Sequence, residues 1–227
     1  MENKKIIGID EAGKGPVIGP MIVSGVVFQY PKNRDIKKPP KSFGKYGLTD
    51  SKKLSTEEIN QLSKQIKKTS FSIEIKCLEA PHIDRLREEK TMNKITIDAF
   101  SLILKNNDFD IAILDAADVD ENRFLEKVKE KIGSKKRIIS EHQADERYPV
   151  VSAASIISKK ERDKRIRDLE KIIKKEIGKG YPTKDTKEFL RKWISENKEL
   201  PIFCRKSWKT SKESLKNFKQ SNLGDYD

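Results

Sequence analysis

The apolar positions of this chain follow two rhythms. Some fall in short continuous runs: Ile6, Ile7 and Ile9 within residues 5–10, and Met-Ile-Val-Ser-Gly-Val-Val-Phe over 21–28. Runs of that length bounded by Gly and Pro suit buried strands, and the Gly/Pro-rich 13–20 between them predicts an antiparallel pair joined by a long loop. Phe71, Ile73 and Ile75 alternate with polar residues as a third strand. Asp110-Ile-Ala-Ile-Leu-Asp115 predicts a fourth, and Arg137, Ile138 and Ile139 a last short one. The fourth follows a helix, so it is expected to run parallel to a neighbour.

The other rhythm is helical. Ser55-Thr-Glu-Glu58 is a capping box that opens a helix with Ile59, Leu62 and Ile66 on one face. Further helices are predicted over 92–105, 122–132 and 149–177, the last ended by Gly178-Lys-Gly-Tyr-Pro182. Two shorter helices follow, around 186–195 and 211–219. Residues 31–47 have no periodicity and read as a surface excursion, and 221–227 as frayed. No internal repeat is visible. The alternation of strands and helices predicts an α/β fold, in one large domain or one domain with a small appendage.

Acids stand where the apolar runs stop. Asp10 and Glu11 end the first strand, Asp115 ends the fourth, and Asp145 lies between the last strand and the long helix. If the first and fourth strands are parallel neighbours, these acids meet at the carboxyl edge of the sheet, where open α/β sheets place their ligands. Each acid by itself is more ordinarily a turn or cap residue. Four together crowd negative charge that a hard divalent cation relieves. Two such cations could act on one phosphodiester.

The following Gly13-Lys14-Gly15 turn lets backbone N–H groups approach a sugar or phosphate. Gly8, Gly13 and Lys14 also have P-loop spacing, but that motif needs Ser or Thr where Gly15 stands. His82 and His142 form no Ser-His-Asp set, although His142 is close in sequence to Asp145.

Composition narrows the class of partner. Hydrophobic residues make up 35%, and 49 Lys+Arg against 36 Asp+Glu give a formal charge of +13. Such an excess favours a polyanion, nucleic acid before membrane. Cys77 and Cys204 offer neither a zinc motif nor a disulfide framework, and are expected to be reduced packing residues of a cytoplasmic protein. The polar start Met1–Lys5 does not read as a signal peptide, and no apolar run approaches the ~20 residues of a membrane span.

The chain resembles the type 2 ribonucleases H (ribonuclease HII), most closely their archaeal branch. The matches, in order, are Gly8–Pro20, Asp50-Ser-Lys-Lys-Leu54, Leu114-Asp-Ala-Ala-Asp-Val119, and Ala144–Ile157 with Lys159 and Arg162-Asp163. Gly178-Lys-Gly-Tyr-Pro182 and Arg205-Lys-Ser-Trp-Lys-Thr210 complete them.

The resemblance implies a ribonuclease H-like fold, a mixed central sheet flanked by helices, with a catalytic domain over 1–180 and a helical substrate-binding portion over 181–227. It implies cleavage of the RNA strand in RNA/DNA hybrids and of DNA duplexes with embedded ribonucleotides, with Mn2+ or Mg2+, leaving 5′-phosphate and 3′-hydroxyl ends. The family's four catalytic, metal-binding acids fall on Asp10, Glu11, Asp115 and Asp145, with Asp118 a rival for the third. Its Gly-Arg-Gly turn falls on Gly13, Lys14 and Gly15, with lysine for arginine, which turns a bidentate fork into a point charge. Its sugar-sensing tyrosine falls on Tyr181. Lys52, Lys53, Ser152, Ser155, Lys159, Ser207 and Thr210 lie in matched motifs and are expected to contact the substrate, and Trp208 is as well suited to a core. A monomer is expected. The family's sliding-clamp motif, a C-terminal peptide with paired aromatics, finds no convincing match in Ser214–Phe218 or Tyr226. A duplex-binding protein that keeps the fold without catalysis is the main alternative, and retention of all four acids weighs against it.

Overall fold

The computed structural model describes residues 3–40 and 55–223. The Asp50–Leu54 motif, with Lys52 and Lys53, and the terminal Tyr226 lie outside them.

Among the described residues five strands form one sheet, in the order β3-β2-β1-β4-β5. β1 (Asn3–Ala12) and β2 (Met21–Pro31) are antiparallel, with Ile6 opposite Phe28 and Asp10 opposite Ser24. β4 (Ile111–Asp115) runs parallel to β1 with Ile9 beside Leu114, and β5 (Arg137–Glu141) runs parallel to β4. The expected parallel pairing of the first and fourth strands is therefore present. β3 (Ser72–Leu78) lies at the sheet edge, and Phe71 just before it is 54% exposed, with the Lys5 ammonium 4.5 Å from its ring centre.

The described residues make two compact units: Met1–Ala12, Ile22–Lys76 and Met92–Glu161 in one, Gly13–Met21, Cys77–Thr91 and Arg162–Asp227 in the other. This is a different grouping from a division at 180/181.

In the first unit, α1 (Thr56–Thr69) carries the full capping box, Ser55 with Glu58, and buries Leu62 and Ile66 beside Ile6, Val26 and Phe28. The start of α6 (Pro149–Ile173) buries Val150, Val151 and Ala154 in the same cluster. Full burial of each Val, Leu, Ile or Phe side chain among them is worth about 1.5–3 kcal/mol. β1 meets α6 so closely that a Cβ at Gly8 would lie 2.3 Å from the Val150 carbonyl, and Ser24 Oγ donates to Ala154 O at 2.8 Å. On α3 (Met92–Asn106), Ile103 covers Gly25, and Phe100 meets Phe124 of α4 (Glu121–Ile132) edge to face at 5.4 Å.

The second unit contains α2 (Ala80–Arg87), the remainder of α6, α7 (Lys184–Asn197) and α8 (Lys209–Leu223). Its core gathers Val17, Ile18, Ile166, Phe189, Leu190, Ile194 and Cys204, and Phe189, Trp193 and Phe203 pack ring against ring at 5.6–6.3 Å. The long helix stops at Ile173, four residues before the expected end. Lys174 takes a left-handed φ of 52°, and Glu170 Oε1 accepts from the amides of Ile177 and Gly178, so the chain turns before its glycines. α8 continues through Leu223, past the expected Lys219. Among the described residues no helix is long and apolar enough to cross a membrane.

Candidate active site

The parallel register that puts Ile9 beside Leu114 carries Asp10 and Asp115 to the same end of adjacent strands. Asp115 Oδ1 accepts from Ala144 N at 3.0 Å, which fastens the end of β4 to α5 (Ala144–Arg147), the turn that bears Asp145. Glu11 follows Asp10, and its amide donates to Asp10 Oδ1 at 2.7 Å. Asp10 is 4% exposed. Burial pushes its carboxyl well above the ordinary value, and the charges of Glu11, Asp115 and Asp145 push the same way against a hydrogen bond from Ser155. The first unit thus gathers the four expected acids into one electrostatic group. Among the described residues no three His, Cys, Asp or Glu side chains are drawn together as a ready-made cage. The donors are all carboxylate oxygens, the type that hard divalent ions take, and the mutual repulsion registered at Asp10 is what such an ion offsets.

The neighbours of these acids are now defined. Lys159 Nζ stands 4.0 Å from Asp145 Oδ2. Asp118 is engaged by Arg123, which holds its carboxyl below the ordinary range, whereas Asp115 acts on Asp10. His142 Nε2 lies 3.2 Å from the Val119 carbonyl. Ser152 and Ser155 are fully buried, and Ser155 serves Asp10, so as placed neither hydroxyl is open to a phosphate.

The second unit holds the turn. Gly13 has φ 85°, and a Cβ there would lie 2.3 Å from Arg162 Nε and 2.7 Å from Pro20 O, so both conformation and space require glycine. The Tyr181 ring borders Gly15: a Cβ on Gly15 would lie 3.5 Å from Tyr181 Cε1, and Tyr181 is 48% exposed. Ser207, expected at a phosphate, instead donates its hydroxyl and amide to Asp84 Oδ1 at 2.6 and 2.9 Å. Thr210 borders the groove between α7 and α8 together with Lys187, Arg191 and Phe218. Trp208 donates Nε1 to Gly15 O at 3.0 Å.

Residues 7–211 match the family model described as Ribonuclease HII. The ribonuclease HII of Methanothrix thermoacetophila is 44% identical over 210 residues, covering 91% of this chain and 95% of that protein. The chain belongs to the ribonuclease HII family. Ribonucleases HII are hydrolases that cleave RNA in RNA/DNA hybrids and depend on a metal. The crystal structure of ribonuclease H2 from Pyrococcus horikoshii superposes with TM-score 0.84 at 30% identity, covering 95% of this chain and 99% of that one. A complex of PCNA and RNase HII from Archaeoglobus fulgidus gives TM-score 0.78 at 36% identity, covering 90% and 95%. The expected ribonuclease H-like fold, with its mixed sheet, flanking helices and helical C-terminal part, is thereby established.

Two residues at the ribonuclease HII turn escaped the sequence as site residues. Arg205 is 0% exposed, and Asp84 anchors the segment that follows it. Asp84 lies in the short helix α2 and Arg205 next to Lys206, and a charged side chain ordinarily means solvent.

Proposed function

We propose that this chain is an endoribonuclease acting on the RNA strand of RNA/DNA hybrids and on DNA duplexes that contain embedded ribonucleotides, leaving 5′-phosphate and 3′-hydroxyl ends. The observation that supports it most is the grouping of Asp10, Glu11, Asp115 and Asp145 by the β1–β4 register and the Asp115–Ala144 bond. Those four carboxylates would hold Mn2+ or Mg2+, two ions in the full site, which supply an activated water and stabilise the leaving oxygen. The remaining roles fall to the chain. Ser155 and the Glu11 amide fix the Asp10 carboxylate by hydrogen bonds. Lys159, beside Asp145, offers a positive charge to a phosphate.

The Gly13–Gly15 turn and Tyr181 contact the ribonucleotide. The tyrosine ring stacks on the sugar and its hydroxyl reaches the 2′-OH, the group that separates RNA from DNA. Lys14 offers a point charge in place of a bidentate fork. The surplus of cations makes duplex binding largely a matter of phosphate neutralisation.

A clamp contact of the kind seen in the Archaeoglobus complex finds little support among the described residues. Phe218 packs against the second unit's core, with the Lys198 ammonium 5.2 Å from its ring centre. The test of the whole reading is incubation with Mn2+ and a labelled RNA/DNA hybrid, with ATP turnover as the control. Hybrid cleavage without ATP turnover supports it, and an intact hybrid overturns it.

A further inference from the structure

Among the described residues Arg205 is the largest fully buried side chain, and none of its hydrogen-bond partners there is a carboxylate. Its guanidinium donates to three backbone carbonyls: Nη2 to Gly13 O at 2.6 Å, Nη1 to Lys14 O at 2.9 Å and Nε to Gly19 O at 3.0 Å. Its other face lies 4.8 Å from the Trp208 ring centre, and Trp208 Nε1 takes Gly15 O. The Gly13 and Lys14 carbonyls are therefore drawn to the buried guanidinium, and the Gly15 carbonyl to the Trp208 ring nitrogen. Asp84 holds the far end of this clamp, accepting from the amides of Lys206 and Ser207.

A trans peptide points its N–H opposite to its C=O. With the Gly13 and Lys14 carbonyls turned to Arg205, the amides of Lys14 and Gly15 are directed away from it. The third carbonyl, of Gly15, precedes Pro16, which has no N–H to direct. The turn then presents two adjacent donors on its outer side and keeps its acceptors inside.

A second buried arginine strengthens the bias. Arg162 lies against Gly13 and donates Nη2 to Lys179 O at 2.7 Å, and its Nε has no hydrogen-bond partner among the described residues. Burial pushes Arg205 down to about 9, with the Arg162 charge pushing the same way, and it remains cationic at neutral pH. Two cations behind two outward amides favour an oxygen acceptor in front of them.

We propose that Arg205 is the positioning residue of the Gly13–Gly15 turn, holding its carbonyls inward so that the Lys14 and Gly15 amides donate to the oxygens of the ribonucleotide's sugar-phosphate. This rests on the reading of the turn as a substrate contact. Lysine could keep the charge at 205, but a point donor cannot serve three carbonyls at once.

The test compares the full chain with Arg205→Lys and Asp84→Asn. Affinity is measured without divalent metal for a DNA duplex carrying one ribonucleotide and for the same duplex in DNA only. Wild type prefers the ribonucleotide duplex. Arg205→Lys lowers that preference about tenfold, the size of a lost hydrogen bond, and leaves the DNA-only affinity within about twofold. Its Mn2+-induced rise in melting temperature, which reports the acids, is retained. A merely structural role would weaken both affinities in proportion and leave the ratio intact, and that result overturns the proposal. If Arg205→Lys does not fold, Asp84→Asn decides: it keeps the side chain's shape but weakens the hold on the Lys206 and Ser207 amides that fixes the end of the Arg205 clamp, and the preference falls by about two- to fivefold. An unchanged ratio in that variant overturns the proposal as well. A wild type without any preference instead removes the underlying reading of the turn, and the wild-type control alone shows which has failed.

Discussion

Replacement of Asp10 by Asn should stabilise the metal-free protein while abolishing cleavage. The carboxylate is 4% exposed and faces the charges of Glu11, Asp115 and Asp145, so its ionised form is held at a cost. An amide of the same shape removes that repulsion, and its oxygen can still accept from the Glu11 amide. Relief of strain at a functional site of this kind is typically worth about 0.5–2 kcal/mol. For a chain of this length that is a rise of roughly 1–8 °C in melting temperature. Metal should act in the opposite sense. An ion at a hundred times its dissociation constant stabilises the wild type by about 2.7 kcal/mol, and the variant, short of one charged ligand, gains less. The assay is thermal unfolding of both proteins in chelator and in Mn2+, with turnover and hybrid affinity measured alongside. The expected pattern is a higher melting point in chelator, a smaller Mn2+ shift, no turnover and hybrid binding retained. An Asn variant that melts lower than wild type in chelator, or that gains as much from Mn2+, would refute the electrostatic argument. Wild-type turnover would refute the site.

Other consequences are open to measurement. Tyr181→Ala should slow cleavage at a single embedded ribonucleotide much more than it weakens binding, and equal changes in kcat and affinity would remove the sugar-sensing role. Asp118→Asn should lower stability at neutral pH, because Arg123 holds the Asp118 carboxyl below its ordinary 3.8. A depressed carboxylate contributes above its unfolded value and loses that contribution as pH falls through its folded value, so the gap between variant and wild type should close on acidification. A gap independent of pH would contradict the pairing. Duplex affinity should fall steeply with salt, by a log–log slope of about −0.9 for each phosphate neutralised on B-DNA, and a flat dependence would exclude a phosphate-dominated surface.

Much of this architecture was written in local pattern. Ile6, Ile7 and Ile9 announced β1 because a strand buried on both faces has no polar alternation to blur it. Ser55 and Glu58 marked the start of α1 because their side chains and the local backbone satisfy each other without tertiary help. The end of α6 was misplaced because Glu170 captures the Ile177 and Gly178 amides across a turn, an interaction that propensity does not contain. α2 went unread: of its eight residues the buried ones are Ala80 and Ile83, too few to set a period. Ile73 and Ile75 marked β3, but the strand lies at the sheet edge, starts after Phe71, and leaves Phe71 and Ile75 exposed.

At the site the same division holds. Acids at strand ends were visible because each interrupts an apolar run. The bonds of Arg205 to residues more than 180 positions earlier are purely tertiary, and no local pattern distinguishes that arginine from Lys206 beside it.

The most direct test of the central claim is the fate of an end-labelled DNA duplex with one ribonucleotide, incubated with the protein and Mn2+ beside an all-DNA control. The account predicts one cut on the 5′ side of the ribonucleotide, ends that are 3′-hydroxyl and 5′-phosphate, no cut in chelator and an intact control. Cleavage of the control at a comparable rate, or a 2′,3′-cyclic phosphate formed without metal by attack of the neighbouring 2′-OH, would contradict it.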